Sequence, residues 1–231
     1  MLEEFYPTKV KKQNEKSNLK MLDCFCGMGG VSDGFALEGF DVTGIDIVDA
    51  QVKLGYKHKF IQADMLTLKG EDFRGYDVIW GSPPCREWSL FAKRFGKTFK
   101  KNPPNPQKGL ELVKAFLKFV EDAKPKFWIL ENVPYLKDYL HEKPRFISTL
   151  RVSKYCKNPQ MRRAFWGNFP DFLLPKEDSP YVMRTRLEVK ARRQVYPTFK
   201  NSAERAKIPL ACSRAFATAC REKLLEMQQI A

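Results

Sequence analysis

The sequence predicts an α/β chain built on a doubly wound, mostly parallel sheet, with a small irregular appendage. Three observations carry this expectation. Apolar runs of strand length alternate with helical patterns from Leu19 to Leu130. Two of these runs, Asp77–Trp80 and Phe127–Leu130, are nearly continuous, as strands covered on both faces are. The glycine turn Gly27-Met28-Gly29-Gly30 joins the first run to the first helical pattern, a junction suited to ligand binding at the end of a strand.

Each element can be justified in order. Leu19–Phe25 is a short apolar strand, and Val31–Glu38 a helix stopped by Gly39. Asp41–Ile47 alternates as a second strand, Phe60–Ala63 is a third and Tyr76–Gly81 a fourth. Gly109–Ala123 carries Leu110, Leu112, Val113, Phe116, Leu117 and Val120 as a helical stripe, which Lys124-Pro125 ends. Phe127–Leu130 is the fifth strand, and the crossovers are right-handed. Two stretches break the pattern. Arg86–Lys108 is long, basic and proline-rich, the profile of a functional loop. Phe169–Lys207 scatters Pro170, Pro175, Pro180 and Pro197 among arginines and reads as an appendage. Ile208–Met227 is a closing amphipathic helix with Pro209 in its first turn. The expected organisation is a basic lead over 1–18, a main domain over 19–168, the appendage over 169–207 and a helix over 208–231 that packs back on the domain.

Composition narrows the classes. With 231 residues and 43% hydrophobic content, the chain suits one domain with a full core plus a small addition. No apolar run has the length of a bilayer span, and Met1–Lys20 lacks the apolar stretch of a signal peptide. A soluble, intracellular protein with no membrane partner is expected. The net charge is +14, with basic clusters at Lys9–Lys20, Lys93–Lys101, Arg184–Arg193 and Lys200–Lys207. A surplus of that size favours a polyanion, above all nucleic acid. The six cysteines, Cys24, Cys26, Cys85, Cys156, Cys212 and Cys220, form no CxxC pair, and only two histidines are present. No metal site and reduced thiols are therefore expected. Cys212 and Cys220 fall on one helical face as small core residues.

The chemistry sits at strand ends, because ligands of an open parallel sheet bind beyond its carboxyl edge. Ser82-Pro83-Pro84-Cys85 ends the fourth strand and Glu131-Asn132-Val133 the fifth. A thiol and a carboxylate then face one crevice, the parts of a nucleophile with a nearby acid. Asp23-Cys24-Phe25-Cys26-Gly27 leads into the glycine turn, where free amides at a helix start serve a phosphate or a carboxylate. The turn is neither the GxGxxG dinucleotide fingerprint nor a Walker loop. Asp46 ends the second strand, where an acid grips ribose hydroxyls, and Asp64 follows the third, placed to accept from an adenine amino group.

Taken in order, these segments resemble the DNA (cytosine-5) methyltransferase family. The matching residues are Asp23-x-Phe25-x-Gly27-x-Gly29-Gly30, Asp46, Asp64, Pro83-Pro84-Cys85-x-x-x-Ser89 and Glu131-Asn132-Val133. Pro159-Gln160-Met161-Arg162-Arg163 follows, then Phe165-Trp166-Gly167-Asn168, a run similar to the vertebrate de novo members. The resemblance covers Leu19 to Phe169. It implies a Rossmann-like fold, S-adenosyl-L-methionine as methyl donor, and a cytosine flipped out of double-stranded DNA as acceptor. Cys85 would add to C6 of the base, and Glu131 would bind its N3 and N4 edge and protonate N3. The cofactor would meet Asp23, Phe25, Gly27, Gly29, Gly30, Asp46, Ile47, Asp64, Met65 and Pro83, with Phe25 on the adenine. Pro84, Ser89, Asn132, Val133 and Gln160 would line the substrate, and the loop Arg86–Lys108 resembles the mobile loop that closes over it.

Two departures stand out. The family has Gln-x-Arg-x-Arg where this chain has Gln160-Met161-Arg162-Arg163-Ala164, so anchoring on Phe165 favours Arg163 as the base contact and anchoring on Gln160 favours Arg162. The recognition region is reduced to the appendage, and Ile208-Pro209-Leu210-Ala211 keeps a closing helix without the family's Gly-Asn. A short or relaxed recognition sequence follows from so few base-reading positions. The resemblance also implies a monomer acting on DNA in the cytoplasm of a prokaryotic or virus-infected cell, with a cognate restriction endonuclease as a candidate partner. A tRNA-acting member of the same family and a catalytically silent DNA-docking relative remain as alternatives. The main RNA cytosine-5 family puts its nucleophile where Glu131-Asn132-Val133 stands here.

Overall fold

A computed structural model describes residues 18–88, 103–151, 160–172 and 206–230, with the backbone alone at 149–151, 160 and 161. Five strands run parallel: β1 (Lys20–Cys24), β2 (Asp41–Asp46), β3 (Lys59–Gln62), β4 (Val78–Gly81) and β5 (Phe127–Asn132). β6 (Phe146–Arg151) and β7 (Gln160–Asn168) complete a seven-stranded sheet of order β3-β2-β1-β4-β5-β7-β6, with β7 antiparallel to both of its neighbours. Strand order reverses between β1 and β4, which opens a crevice at their carboxyl ends.

Helices cover both faces, as the expected doubly wound class requires. Alternation along each strand sends successive side chains to opposite sides. Met21, Trp80, Ile129 and Phe165 pack with α1 (Gly30–Leu37) and α4 (Leu210–Ile230). Leu22, Ile79, Leu130 and Ala164 pack with α3 (Pro106–Ala123) through Val113 and Phe116. Phe216 of α4 is fully buried and touches the rings of Trp80, Phe146, Phe165, Phe169 and Phe172. Cys212 and Cys220 of the same helix are buried, as their spacing predicts. The close approach of α1 to α4 needs Gly34, since a Cβ there would lie 2.2 Å from Ser213 Oγ.

The structure differs from the sequence expectation in four places. β6 and β7 were not expected as strands, because Gln160-Met161-Arg162-Arg163 hides the alternation that Ala164-Phe165-Trp166 continues. α3 begins at Pro106 and not at Gly109: Asn105 caps the amides of Gln107 and Lys108, and Pro106 fits the first turn. Of the stretch expected as the loop Arg86–Lys108, Arg86 and Glu87 belong to the 3-10 turn Cys85–Glu87 and 106–108 to α3, while residues 89–102 lie outside the described residues. A short helix, α2 (Ala50–Leu54), is capped by Asp49 and closed by Gly55 in the left-handed region. α1 and α4 start at Gly30 and Leu210, one and two residues from their expected starts.

Ser89, Pro159, Cys156, residues 1–17, the basic clusters at 93–101 and 184–193, and most of the appendage lie outside the described residues. Among the described residues no helix is long and apolar enough to cross a membrane.

Candidate active site

At the carboxyl end of β4 the chain turns through Ser82, buried Pro83 and exposed Pro84 to place Cys85, half-buried, on the 3-10 turn. Glu131 is the second-to-last residue of the neighbouring strand, where β5 pairs with β7 through Glu131↔Phe165 and Asn132↔Ala164. Arg163 sits two residues before Phe165, so its side chain shares the face of Glu131 and reaches past the end of β5. Its Nε stands 3.1 Å from Glu131 Oε1, both side chains being almost wholly buried. The Arg163 guanidinium also lies near enough to Cys85 to act on its thiol electrostatically. Arg162, one residue earlier, is exposed. Of the two arginines left open by the sequence, Arg163 is the one that the fold brings to Cys85 and Glu131.

The electrostatics follow from burial. Loss of hydration pushes the Glu131 carboxyl above its usual range, against the pull of Arg163 and of a hydrogen bond from Ser82. Ser82 Oγ in turn accepts from Trp80 Nε1 at 2.8 Å. Burial likewise pushes the Cys85 thiol up; Arg163 draws it back down, and Glu131 opposes that. Arg163 therefore stabilises a thiolate that its surroundings disfavour. Glu131 Oε1 is buried and has no well-aligned hydrogen bond.

Asn132 departs from its expected role. It is 1% exposed, and its amide faces inward, not into the crevice. Nδ2 donates to Pro83 O at 2.8 Å, and Oδ1 accepts from Val133 N and from Trp88 Nε1. Pro83 is likewise engaged in this bracket rather than open to a cofactor. Val133 is partly buried against the α3 side of the core. Gln160 opens β7, paired with Arg151.

The glycine turn lies at the carboxyl end of β1. Phe25 and Gly27 both take positive φ, 64° and 49°, a backbone that costs Phe25 about 1 kcal/mol or more and marks a constrained site. A Cβ on Gly27 would meet only Phe25 O, 4.0 Å away, so this edge of the turn is open to a close ligand. Asp46 Oδ2 accepts from Gly27 N at 3.0 Å and Oδ1 from Val48 N, which ties the turn to the end of β2. Asp64 caps the 3-10 turn Met65–Thr67 through Leu66 N. Ile47 and Leu66 are exposed beside these acids, and Phe25 is partly buried, while Met65 points into the core.

Three expected cofactor residues act from beneath. Asp23 is 1% exposed and accepts from the backbone and hydroxyl of Ser32, which also meets Tyr56 OH at 2.8 Å. Burial raises its carboxyl to about 7, even with the two bonds from Ser32. Gly29 abuts the Tyr56 ring, and Gly30 makes room for Lys207 and Ile208 at the entry to α4. Lys207 Nζ and His58 Nε2 both reach the Asp33 carboxylate, at 3.1 and 3.0 Å, pinning that entry to the first turn of α1. Trp88 and Tyr56 were not singled out from the sequence, since their partners Asn132 and Ser32 are set by the fold.

The model of the C-5 cytosine-specific DNA methylase family matches residues 19–170. Among curated relatives, Type II methyltransferase M1.HphI of Haemophilus parahaemolyticus is 31% identical over 52% of this chain and 33% of its own length. Type II methyltransferase M.FnuDI of Fusobacterium nucleatum is 29% identical over 71% of this chain and 51% of its own. The protein named "Probable DNA (cytosine-5)-methyltransferase" of Frog virus 3 is 28% identical over 72% of this chain and 80% of its own. The chain thus spans about half or less of the two bacterial relatives. Strand order, the Cys85–Glu131 crevice and a family match across 19–170 agree: the chain belongs to the C-5 cytosine-specific DNA methylase family.

Proposed function

We propose that the protein transfers a methyl group from S-adenosyl-L-methionine to C5 of a cytosine held out of a DNA duplex. The observation that carries this reading is the convergence on one crevice of Cys85 from the end of β4, Glu131 from the end of β5 and Arg163 from within β7. The cofactor fits the neighbouring site by its chemistry. Gly27 leaves an open edge, Phe25 and exposed Ile47 offer apolar surface to a flat ring, and Asp46 and Asp64 offer carboxylates to hydroxyl and amino donors. Carboxylate oxygens that already accept one amide keep a second lone pair for such donors. S-adenosyl-L-methionine, when bound, supplies an electrophilic methyl group.

The residues of this chain then do the rest. Cys85 gives up its proton to solvent and its sulfur forms a bond to C6 of cytosine. The 5,6 double-bond electrons move toward C5 as Glu131 delivers its proton to N3, so C5 becomes an enamine carbon able to take a methyl group. Loss of the C5 proton to solvent, departure of the Cys85 sulfur from C6 as a thiolate and return of the N3 proton to Glu131 restore the 5,6 double bond. Glu131 suits its part because burial keeps a proton on it at higher pH than an exposed glutamate would. Its Oε1, paired with Arg163 but without a well-aligned hydrogen bond, suits acceptance from the N4 amino group of the base. Arg163 serves the first step by favouring the thiolate. The base has to leave the stack to reach a half-buried sulfur.

The test is transfer of a labelled methyl group to unmethylated duplex DNA and, in parallel, to tRNA, with the product nucleoside identified. 5-Methylcytosine in DNA supports the reading. Label appearing in tRNA alone moves the substrate to RNA, and no transfer to either with intact S-adenosylhomocysteine binding leaves a DNA-docking protein.

A further inference from the structure

We infer that Trp88 is a positioning residue for Cys85, acting through Asn132; the inference rests on the assignment of Cys85 as nucleophile. Trp88 is fully buried. Its indole Nε1 donates to Asn132 Oδ1 at 2.7 Å, while Asn132 Nδ2 donates to Pro83 O at 2.8 Å. One side-chain amide at the end of β5 therefore holds the chain two residues before Cys85 and three residues after it. The Trp88 amide closes the same turn onto Cys85 O at 3.4 Å. Cys85 cannot shift along the crevice without breaking this bracket, and the strand that carries Asn132 also carries Glu131.

The ring is fixed from behind as well. Gly109 of α3 lies against it so closely that a Cβ there would fall 2.5 Å from the indole. Tyr139 packs on another side, with ring centroids 5.9 Å apart. Next to it the Glu87 carboxylate accepts from Asn105 N at the cap of α3. Phenylalanine at 88 would fill much of the same space, but it has no N–H to donate. Asn132 would keep Pro83 and Val133 as partners and lose the link to position 88, three residues after the nucleophile. Position 88 is thus a place where a hydrogen bond, beyond apolar bulk, sets the distance from sulfur to Arg163 and to the base.

The experiment compares wild type, Trp88→Phe and Gly109→Ala, the last displacing the ring without touching the crevice. Alkylation of Cys85 by iodoacetamide is followed against pH by peptide mass spectrometry, alongside single-turnover methyl transfer and S-adenosylhomocysteine binding. The proposal expects both variants to bind S-adenosylhomocysteine like wild type. Their alkylation profile moves to higher pH, slowing the reaction at about pH 7.5 roughly threefold, as a half-unit rise in a thiol pKa requires. Single-turnover transfer falls roughly tenfold or more, the scale of a small misplacement of a reacting group. A folded Trp88→Phe protein with an unmoved alkylation profile and unchanged transfer overturns the proposal, as does loss of cofactor binding and transfer in equal proportion. If wild type transfers no methyl group, the functional reading fails by itself, and the alkylation profile still decides whether Trp88 positions the thiol.

Discussion

Arg163 and Asp23 show what one buried charge or carboxyl does at the residue scale. Arg163 is the cation that favours the Cys85 thiolate, so Arg163→Gln should raise the thiol pKa. The rising limb of the pH–rate profile then moves to higher pH, and transfer at neutral pH falls about tenfold or more. An unmoved limb would separate Arg163 from the thiol. Asp23 carries a stability prediction with a definite sign. Its folded carboxyl titrates at about 7 against an ordinary 3.8, because it is buried. The folded protein therefore holds this proton more tightly than the unfolded chain does. Stability contributed by the protonated form is present at low pH, declines as pH rises from about 4 to about 7, and is lost above that, by an amount on the order of a few kcal/mol. Asp23→Asn, uncharged at every pH, should flatten the change in Tm between pH 5 and pH 8; a change as large as in wild type contradicts this. At this scale the sequence was informative where topology decides. Cys85, Glu131 and Asp46 lie at strand ends, and strand ends face the crevice whatever the packing. It was uninformative where side-chain direction decides. Asp23 and Asn132 turn inward because Ser32, Pro83 and Trp88 wait there, Ser32 across the glycine turn and the other two more than forty residues away in sequence.

Elements bring the two sites together, and α4 shows how. It closes one face of the sheet through Phe216 and crosses α1 at Gly34. Phe216→Ala should cost about 3–5 kcal/mol by leaving a cavity among five aromatic rings. Gly34→Ala should cost about 1–3 kcal/mol, since the new methyl would meet Ser213 Oγ at 2.2 Å and Arg214 N at 2.8 Å and the helix has to move. Urea unfolding measures both, and a neutral Gly34→Ala would mean that α4 is free to slide on α1. The parallel strands and both long helices were legible from apolar period alone. β7 was not, because arginines occupy the positions that would reveal its alternation. One of them, Arg163, is buried, paired with Glu131. The start of α3 was misplaced because Asn105-Pro106 reads equally well as more of a proline-rich loop. Only the cap bonds to Gln107 and Lys108 distinguish the two.

For the whole molecule the surplus of positive charge and the crevice have to describe one activity. A net charge of +14 predicts DNA binding dominated by phosphate contacts. Affinity should fall by about 10³-fold or more between 50 and 200 mM salt if six or more phosphates are neutralised. A salt-insensitive affinity, measured by fluorescence anisotropy on a duplex, would contradict this. The central claim is that Cys85 bonds covalently to the base it methylates, and a duplex containing 5-fluorocytosine tests it most directly. Fluorine at C5 cannot leave as the C5 proton does, so the sulfur stays on C6. With S-adenosyl-L-methionine present, wild type should form a denaturation-resistant complex mapped to the peptide containing Cys85, and Cys85→Ser should form none while still binding S-adenosylhomocysteine. A trapped complex that persists in Cys85→Ser, or none in a wild-type protein that methylates ordinary DNA, would contradict the account.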